Sequence, residues 1–414
     1  MGSCDLTPDS NEVIERATAI RHLLHKSPEL SNEESETSRL IAETLASLKP
    51  TELIEGLGQN GVAAIFGAKD HGPTVLIRCE LDALPIFEAE GNVPRSCIDG
   101  VAHLCGHDGH MAMVVGLAML LGAEPILGGR VILLFQPAEE NGQGALRVSQ
   151  DERFRSLDID FAFALHNLPG HPLGQIAVRS GTMNCGSQGL VIRLKGRPAH
   201  AAQPQTGISP ARALASLMQR VEHYGPRHDP HQPQTFATLV GVDVGSRSFG
   251  VAASQGEMRV TLRSETKSSL LAMRSTLVEL AERHAKEQGL LLETETIDPF
   301  EPTVNTNLAY VLVKKAAEGA GLQNDMPKMR ESPEPAWIEL EQPLAWSEDF
   351  GRIIDEHEGA LIGIGAGLET APLHDAAYQF PDRLLPMGIR FYRNLIGQCF
   401  EQRNNAQDYH QPNR

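Results

Sequence analysis

Residues 103–110 read His-Leu-Cys-Gly-His-Asp-Gly-His, which places five metal-binding or proton-handling side chains within eight positions: His103, Cys105, His107, Asp108 and His110. A thiolate and an imidazole two residues apart converge on one cation when the backbone between them turns, and Gly106 and Gly109 permit a tight turn. The apolar run 111–121 follows at once and reads as a helix that holds the loop rigid. In isolation a metal site is the favoured reading, and a polar loop capping a helix with a buried thiol is the bland alternative. Residues elsewhere in the chain decide between the two.

Asp82, Glu139, Glu140, His166 and His374 each follow an apolar, strand-like run. In open α/β sheets the carboxyl ends of the strands form the crevice where ligands bind, so these residues are expected to converge with Cys105 and His107. One thiolate, three imidazoles and one or two carboxylates form a borderline-soft donor set, suited first to zinc and compatible with manganese, cobalt or nickel. Alone, His166 or His374 would read as a hydrogen-bonded structural histidine, and Asp82 as a loop-capping carboxylate. Glu139 and Glu140 come just after Pro137, and neighbouring side chains in extended backbone point apart, which predicts different jobs for the two. One carboxylate would bind metal while the other takes a proton from a metal-activated water.

Periodicity gives the elements that must place these residues. Helices are expected over 14–24 and 33–48, with Ser31 and Glu34 as a capping box before the second. Strand-like runs at 62–66, 75–77, 130–135 and 161–165 alternate with helices, the pattern of an α/β catalytic domain with a mixed, doubly covered sheet. Near residue 187 the character changes. Strand 189–195, helix 209–223, strands 236–242 and 257–264, helix 270–288 and strand 290–296 give a β-α-β-β-α-β order, that of a ferredoxin-like α+β domain. The expected organisation is therefore a discontinuous catalytic domain, 1–186 and 299–414, with 187–298 inserted. After residue 302 the α/β pattern returns with helix 308–319, strand 360–365 and a closing helix 386–398. Segment 326–345, rich in Pro and Glu, reads as a surface loop.

A chain of 414 residues is too long for one ordinary core. Its formal charge of −17 argues against nucleic acid or an anionic membrane as a partner. No apolar run reaches membrane-spanning length. The six cysteines, Cys4, Cys79, Cys97, Cys105, Cys185 and Cys399, are scattered, with no pairing pattern and no basic-plus-apolar leader. That usage predicts a reducing, cytoplasmic compartment, where a cysteine serves as a ligand or a core residue.

In order and combination these motifs resemble the M20 metallopeptidase family, in its aminoacylase/amidohydrolase branch. The resemblance starts at Leu24-His-Lys-Ser-Pro-Glu-Leu-Ser31 and continues through Asp82-Ala-Leu-Pro85, Cys105-Gly-His-Asp-Gly-His110 and Phe135-Gln-Pro-Ala-Glu-Glu140. Leu165-His-Asn167, Ala199-His-Ala-Ala202, Trp346-Ser-Glu-Asp-Phe350 and Pro372-Leu-His374 complete it. It implies a centre of two divalent ions, with Cys105 bridging, His107 and His166 on one ion, and Glu140 and His374 on the other. By the same resemblance Glu139 is the general base and later the proton donor to the leaving amine, while Asp82 orients His107 and fixes its tautomer. His200 would stabilise the developing oxyanion, often from a partner subunit, which implies a homodimer built through the insert acting as lid and dimerisation domain. Arg263 stands where a lid arginine holds a substrate carboxylate.

The implied activity is metal-dependent hydrolysis of the amide bond of an N-acyl amino acid or a similar small amide conjugate. Alternatives on the same scaffold are a dipeptidase and an N-carbamoyl-amino-acid hydrolase, and a non-catalytic binding protein that kept the fold is a third. Two departures bear on substrate recognition more than on chemistry. The usual Asp-x-Asp appears as Glu80-Leu-Asp82, and the lid run Asn-Val-Ile-Pro appears as Gly250-Val-Ala-Ala253.

Overall fold

A computed structural model describes residues 10–69, 72–124, 126, 128–225, 234–322 and 335–408. Cys4 and the 326–334 part of the expected loop lie outside them. The chain opens with α1 (Ser10–Lys26) and α2 (Ser35–Ser47), then β1 (Glu52–Leu57), β2 (Gly61–Gly67) and β3 (Thr74–Glu80). A long connection leads to α3 (His107–Ala123), β4 (Arg130–Gln136), the short helices α4 (Gly144–Gln150) and α5 (Glu152–Arg155), β5 (Phe161–Pro169), β6 (Ile176–Val178) and β7 (Gly181–Asn184). Next come β8 (Gly186–Lys195), β9 (Ala199–His200), α6 (Ala211–Glu222), β10 (Thr235–Val244), β11 (Val251–Ala252), β12 (Gln255–Ser264), α7 (Lys267–Gln288) and β13 (Leu291–Phe300). The chain closes with β14 (Thr303–Asn305), α8 (Asn307–Gly319), β15 (Trp337–Glu339), α9 (Gly351–Ile354), β16 (Glu358–Gly367) and α10 (Leu384–Asp408).

Backbone contacts divide the chain into two compact units. The first comprises 1–183, 304–342 and 349–414; the second comprises 184–303 and 343–348. The short stretch 343–348 thus joins the second unit, which a continuous insert ending at residue 298 does not include.

The first unit is built on an eight-stranded mixed sheet in the order β1-β2-β4-β3-β5-β16-β6-β15. Its centre is parallel, β4 with β3, β3 with β5 and β5 with β16, while β1, β2 and the β16–β6 pair run antiparallel. Strands β3 and β4 are buried along almost their whole length, as strands covered on both faces must be. Helix α3 is buried from His107 through Leu120, so it is a core helix with no solvent stripe. It starts at His107, four residues earlier than the apolar run suggests. Gly106, at φ 93°, takes the left-handed conformation that a side chain would oppose, and this turns the chain into the helix.

Two further expectations change. No capping box forms at α2: Glu34 stands at the N-cap without a side-chain cap bond, and its carboxylate accepts instead from Asn32 N and Ala138 N. Within the expected surface loop, Trp337–Glu339 forms β15, which pairs in parallel with β6 at the sheet edge.

The second unit carries a four-stranded antiparallel sheet, β10-β12-β8-β13, with α6 and α7 supplying the apolar residues that pack on one face. This is the ferredoxin-like arrangement expected from the element order. Leu277 of α7 lies fully buried in that core. Leu277→Ala is expected to destabilise this unit by about 2–5 kcal/mol, read as a fall in the denaturant midpoint at unchanged slope.

Candidate metal centre

The first unit gathers its chemistry-bearing side chains toward the carboxyl ends of β3, β4 and β5. Two groups of donor atoms, each within 4.8 Å of one another, share one thiol: Cys105 with His107 and His166, and Cys105 with Glu140 and His374. Glu139 and Glu140 form a further group with His107. The fold therefore brings together Cys105, His107, Glu139, Glu140, His166 and His374, which lie up to 269 positions apart (374 − 105). His166 sits inside β5 rather than beyond its end, and His374 follows β16 only after a turn in which its own φ is 66°.

Two of the imidazoles are aimed by specific partners. His166 Nδ1 donates to the Asn167 carbonyl at 3.0 Å, which leaves Nε2 facing the Cys105 sulfur at 3.4 Å. His107 Nδ1 donates to the Asp82 carbonyl oxygen at 2.8 Å. The Asp82 carboxylate stands 3.6 Å from that nitrogen, beyond hydrogen-bond reach, so Asp82 orients His107 through its main chain. The carboxylate itself accepts from Ser31 Oγ at 2.7 Å and Glu140 N at 3.0 Å, tying the His107 ring to the Glu140 backbone.

Glu139 and Glu140 do not point apart as extended neighbours would. Ala138 has φ 49°, and the turn brings Glu139 Oε2 to 4.0 Å and Glu140 Oε1 to 3.9 Å from the same nitrogen, His107 Nε2. The Ala138 N–H is held by Glu34 at 2.7 Å, so the residue expected to cap a helix instead anchors the carboxylate turn. Glu140 Oε2 lies 3.8 Å from His374 Nε2, whose side chain is 48% exposed against 14% for Glu140. His374 is thus on the open side of the centre.

These distances suit cations better than direct bonds. His107 Nε2 is buried without a hydrogen-bond partner among the described residues, and the two carboxylate oxygens facing it are too far to accept from it. Burial opposes charge on His107, yet the carboxylates of Asp82, Glu80 and Glu140 outweigh it and push its pKa up to about 10. Positive charge is favoured at that position. Burial lowers the pKa of His166 and of His374, with nearby histidines adding to the effect, so both stay neutral and keep a lone pair for a ligand. Thiol, imidazole and carboxylate at these spacings fit divalent metal ions.

The other members of the 103–110 stretch have different surroundings. His110 donates from Nδ1 to Glu80 at 2.7 Å, and its Nε2 meets the Asn167 side-chain amide at 2.5 Å and accepts from the Asn167 N–H at 3.4 Å, which occupies both ring nitrogens. Asp108 pairs with Arg21 at 3.0 Å and His25 at 2.8 Å; burial would raise its pKa, but His25 and Arg21 hold it well below the usual carboxylate range. His103 is buried with neither ring nitrogen hydrogen-bonded among the described residues, and burial lowers its pKa to about 3. Glu80 carries the Asp-to-Glu departure. Its carboxylate reaches both Arg78 and His110, and Arg78 continues to Gln136 at 2.9 Å and Asp349 at 2.7 Å. Arg78, Arg21, His25 and Glu34 are missing from the site read in the sequence because the partners that tie them to it, Asp349, Asp108 and Ala138, lie dozens of positions away or more.

His200 and Arg263 belong to the second unit. His200 is exposed, and its strand β9 pairs with β11, setting His200 opposite Val251 of the departed lid run. Arg263 donates to Ser347 Oγ at 3.0 Å and to the Ala345 carbonyl at 3.3 Å.

The fold and this donor set are those of a metal-binding hydrolase. Residues 76–398 match the profile of Peptidase family M20/M25/M40. The chain is 30% identical over 390 residues to an IAA-amino acid hydrolase, ILR1-like 5, of Arabidopsis thaliana, covering 91% of this chain and 85% of that protein. It is 29% identical to an N-acetylcysteine deacetylase of Bacillus subtilis, over 92% of this chain and 96% of the relative. A solved dinuclear metal-binding peptidase of the M20 family, from Bacillus subtilis, superposes with a TM-score of 0.78 at 26% identity, covering 95% of this chain and 99% of that one. The chain belongs to Peptidase family M20/M25/M40, and it is a hydrolase acting on amide bonds. No helix among the described residues is long and apolar enough to cross a membrane.

Two outcomes test this geometry. Cys105→Ser, which touches both donor groups, is expected to lower the bound metal for both ions, whereas His374→Ala lowers it for one; elemental analysis after dialysis reads the difference. Asp108→Asn removes the carboxylate that Arg21 and His25 share, leaving Arg21 to Asp382 and His25 to Glu88, and is expected to cost about 1–3 kcal/mol, seen as a lower melting temperature.

Proposed function

We propose that this chain is a metal-dependent amidohydrolase that releases the amino acid from an N-acyl amino acid or a similar small amide conjugate. The observation that carries the reading is the pair of donor groups sharing Cys105, with the Glu139 carboxylate 4.0 Å from His107 beside them. His107 and His166 would hold one cation, Glu140 and His374 the other, and Cys105 both. Zinc is the first choice for a thiolate, imidazole and carboxylate set, and manganese, cobalt or nickel are compatible. Bound there, such ions supply Lewis acidity and ease deprotonation of water.

The residues of the chain do the rest. Glu139 takes the proton of the attacking water on its carboxylate and returns it to the departing amine nitrogen, a role open to it because another glutamate serves as ligand. Asp82 keeps the His107 ring in the tautomer whose Nε2 faces the carboxylates. His200 as donor to the developing oxyanion and Arg263 as clamp for a substrate carboxylate are supported by the motif match. So is a homodimer built through the second unit. The scattered cysteines, five of which stand outside any disulfide in the structure, favour a reducing cytoplasmic setting.

The relatives are named for indole-acetic-acid amino acid conjugates, N-acetylcysteine and hippurate, all amides with an amino acid on the leaving side. The test is metal-reconstituted turnover on N-acyl amino acids, amide conjugates, N-carbamoyl amino acids and dipeptides, read as released amine with a chelated control. Release from the first two sets that chelation abolishes is the expected result; release from dipeptides or N-carbamoyl amino acids alone would overturn the substrate assignment. Glu139→Gln is expected to keep its metal and lose about 10²–10⁴-fold in turnover. Unchanged turnover would remove Glu139 from the role of base.

A further inference from the structure

Below the ligand turn lies one side chain that none of the expected roles uses. Asn167 follows His166 in β5 and is fully buried. One end of its amide meets His110 Nε2 at 2.5 Å, and the other meets the Tyr378 hydroxyl at 2.5 Å. His110 is in turn held by Glu80 at 2.7 Å, and Tyr378 is fully buried. Both ends of the amide are therefore clamped, and the amide plane has one orientation.

That plane presses on the metal-ligand turn. A Cβ placed on Gly106 would meet Asn167 Oδ1 at 2.7 Å and Cγ and Nδ2 at 3.0 Å, so the amide lies against the Gly106 α-carbon. Gly106 is the residue between Cys105 and His107, and its φ of 93° sets the direction of both side chains. The backbone of Asn167 acts on the third ligand, since its carbonyl accepts the Nδ1 proton of His166. One residue thus touches the segment of every donor in the Cys105, His107 and His166 group.

We propose that Asn167 is a positioning residue: its clamped amide sets the height of the Cys105-Gly106-His107 turn against His166, and so the geometry of the first metal position. The inference rests on the reading that these three side chains hold a cation. A buried amide held at both ends is rigid, because turning its plane away would break both contacts where no water can replace them. The turn above has glycine's freedom and needs a rigid floor to keep two ligands within reach of a third. Partners of this kind tune metal affinity by about 10–100-fold when removed.

The test uses the full chain loaded with cobalt(II), whose thiolate-to-cobalt and ligand-field absorption bands report the donor geometry at Cys105. Asn167→Leu, similar in size and without hydrogen bonds, is expected to shift those bands and weaken cobalt binding by about 10–100-fold, with circular dichroism unchanged. Tyr378→Phe, which removes only the hydroxyl, is expected to move the same bands in the same direction by less. Should Asn167→Leu fail to fold, Tyr378→Phe alone decides. Wild-type spectrum and affinity in the folded variants would overturn the positioning role while leaving the metal centre standing. A wild-type chain that binds no cobalt would overturn both.

Discussion

Gathering a thiol, three imidazoles and several carboxylates at one sheet edge, most of them out of water, is unfavourable unless each group finds a countercharge, a hydrogen-bond partner or a cation. The site meets this constraint in layers. Away from the ligands, Arg78 neutralises Glu80 and Asp349, and Arg21 with His25 neutralises Asp108. Closer in, Asp82, Glu34 and Asn167 direct hydrogen bonds to the backbone of the Glu139–Glu140 turn and to the rings of His107 and His166 in the donor groups. At the centre, His107 Nε2 faces carboxylates across gaps too wide for a hydrogen bond, and the balance of charge there calls for something positive.

The fold makes this arrangement affordable in conformational terms. Parallel β3, β4 and β5 end at the same edge, so Asp82, the Glu139–Glu140 turn and His166 arrive from neighbouring strands without long excursions. Helix α3 drives into the core beneath them, and its first residue, His107, belongs to the donor group. His374 comes from a segment far along the chain, and it is the exposed member of the group. A hydrolase needs a centre that is rigid below and open above, and the burial gradient from His107 to His374 has that form.

Much of this was legible in the sequence. The donor types, their order and the division into an α/β unit and a ferredoxin-like unit all follow from local pattern, because hydrophobic period and residue chemistry are written residue by residue. Less legible was anything that depended on a turn. Extended backbone predicts Glu139 and Glu140 pointing apart, whereas Ala138 at φ 49° swings both onto His107. Ser31 and Glu34 match a capping box by spacing, yet the carboxylates of Asp82 and the amide of Ala138 compete for them and win.

The stretch 103–110 shows where the line falls. Sequence alone determined that it could bind metal, since three histidines, a cysteine and an aspartate with two glycines can do little else together beyond a polar loop. Which of the five face the centre was decided by tertiary structure. His107 and Cys105 do, while His110 is claimed by Glu80 and Asn167, and Asp108 by Arg21 and His25. A side chain's chemistry is a property of its residue, but its role depends on which partner reaches it first. Those partners come from 30 to 87 positions away, a separation that only the packed fold can close.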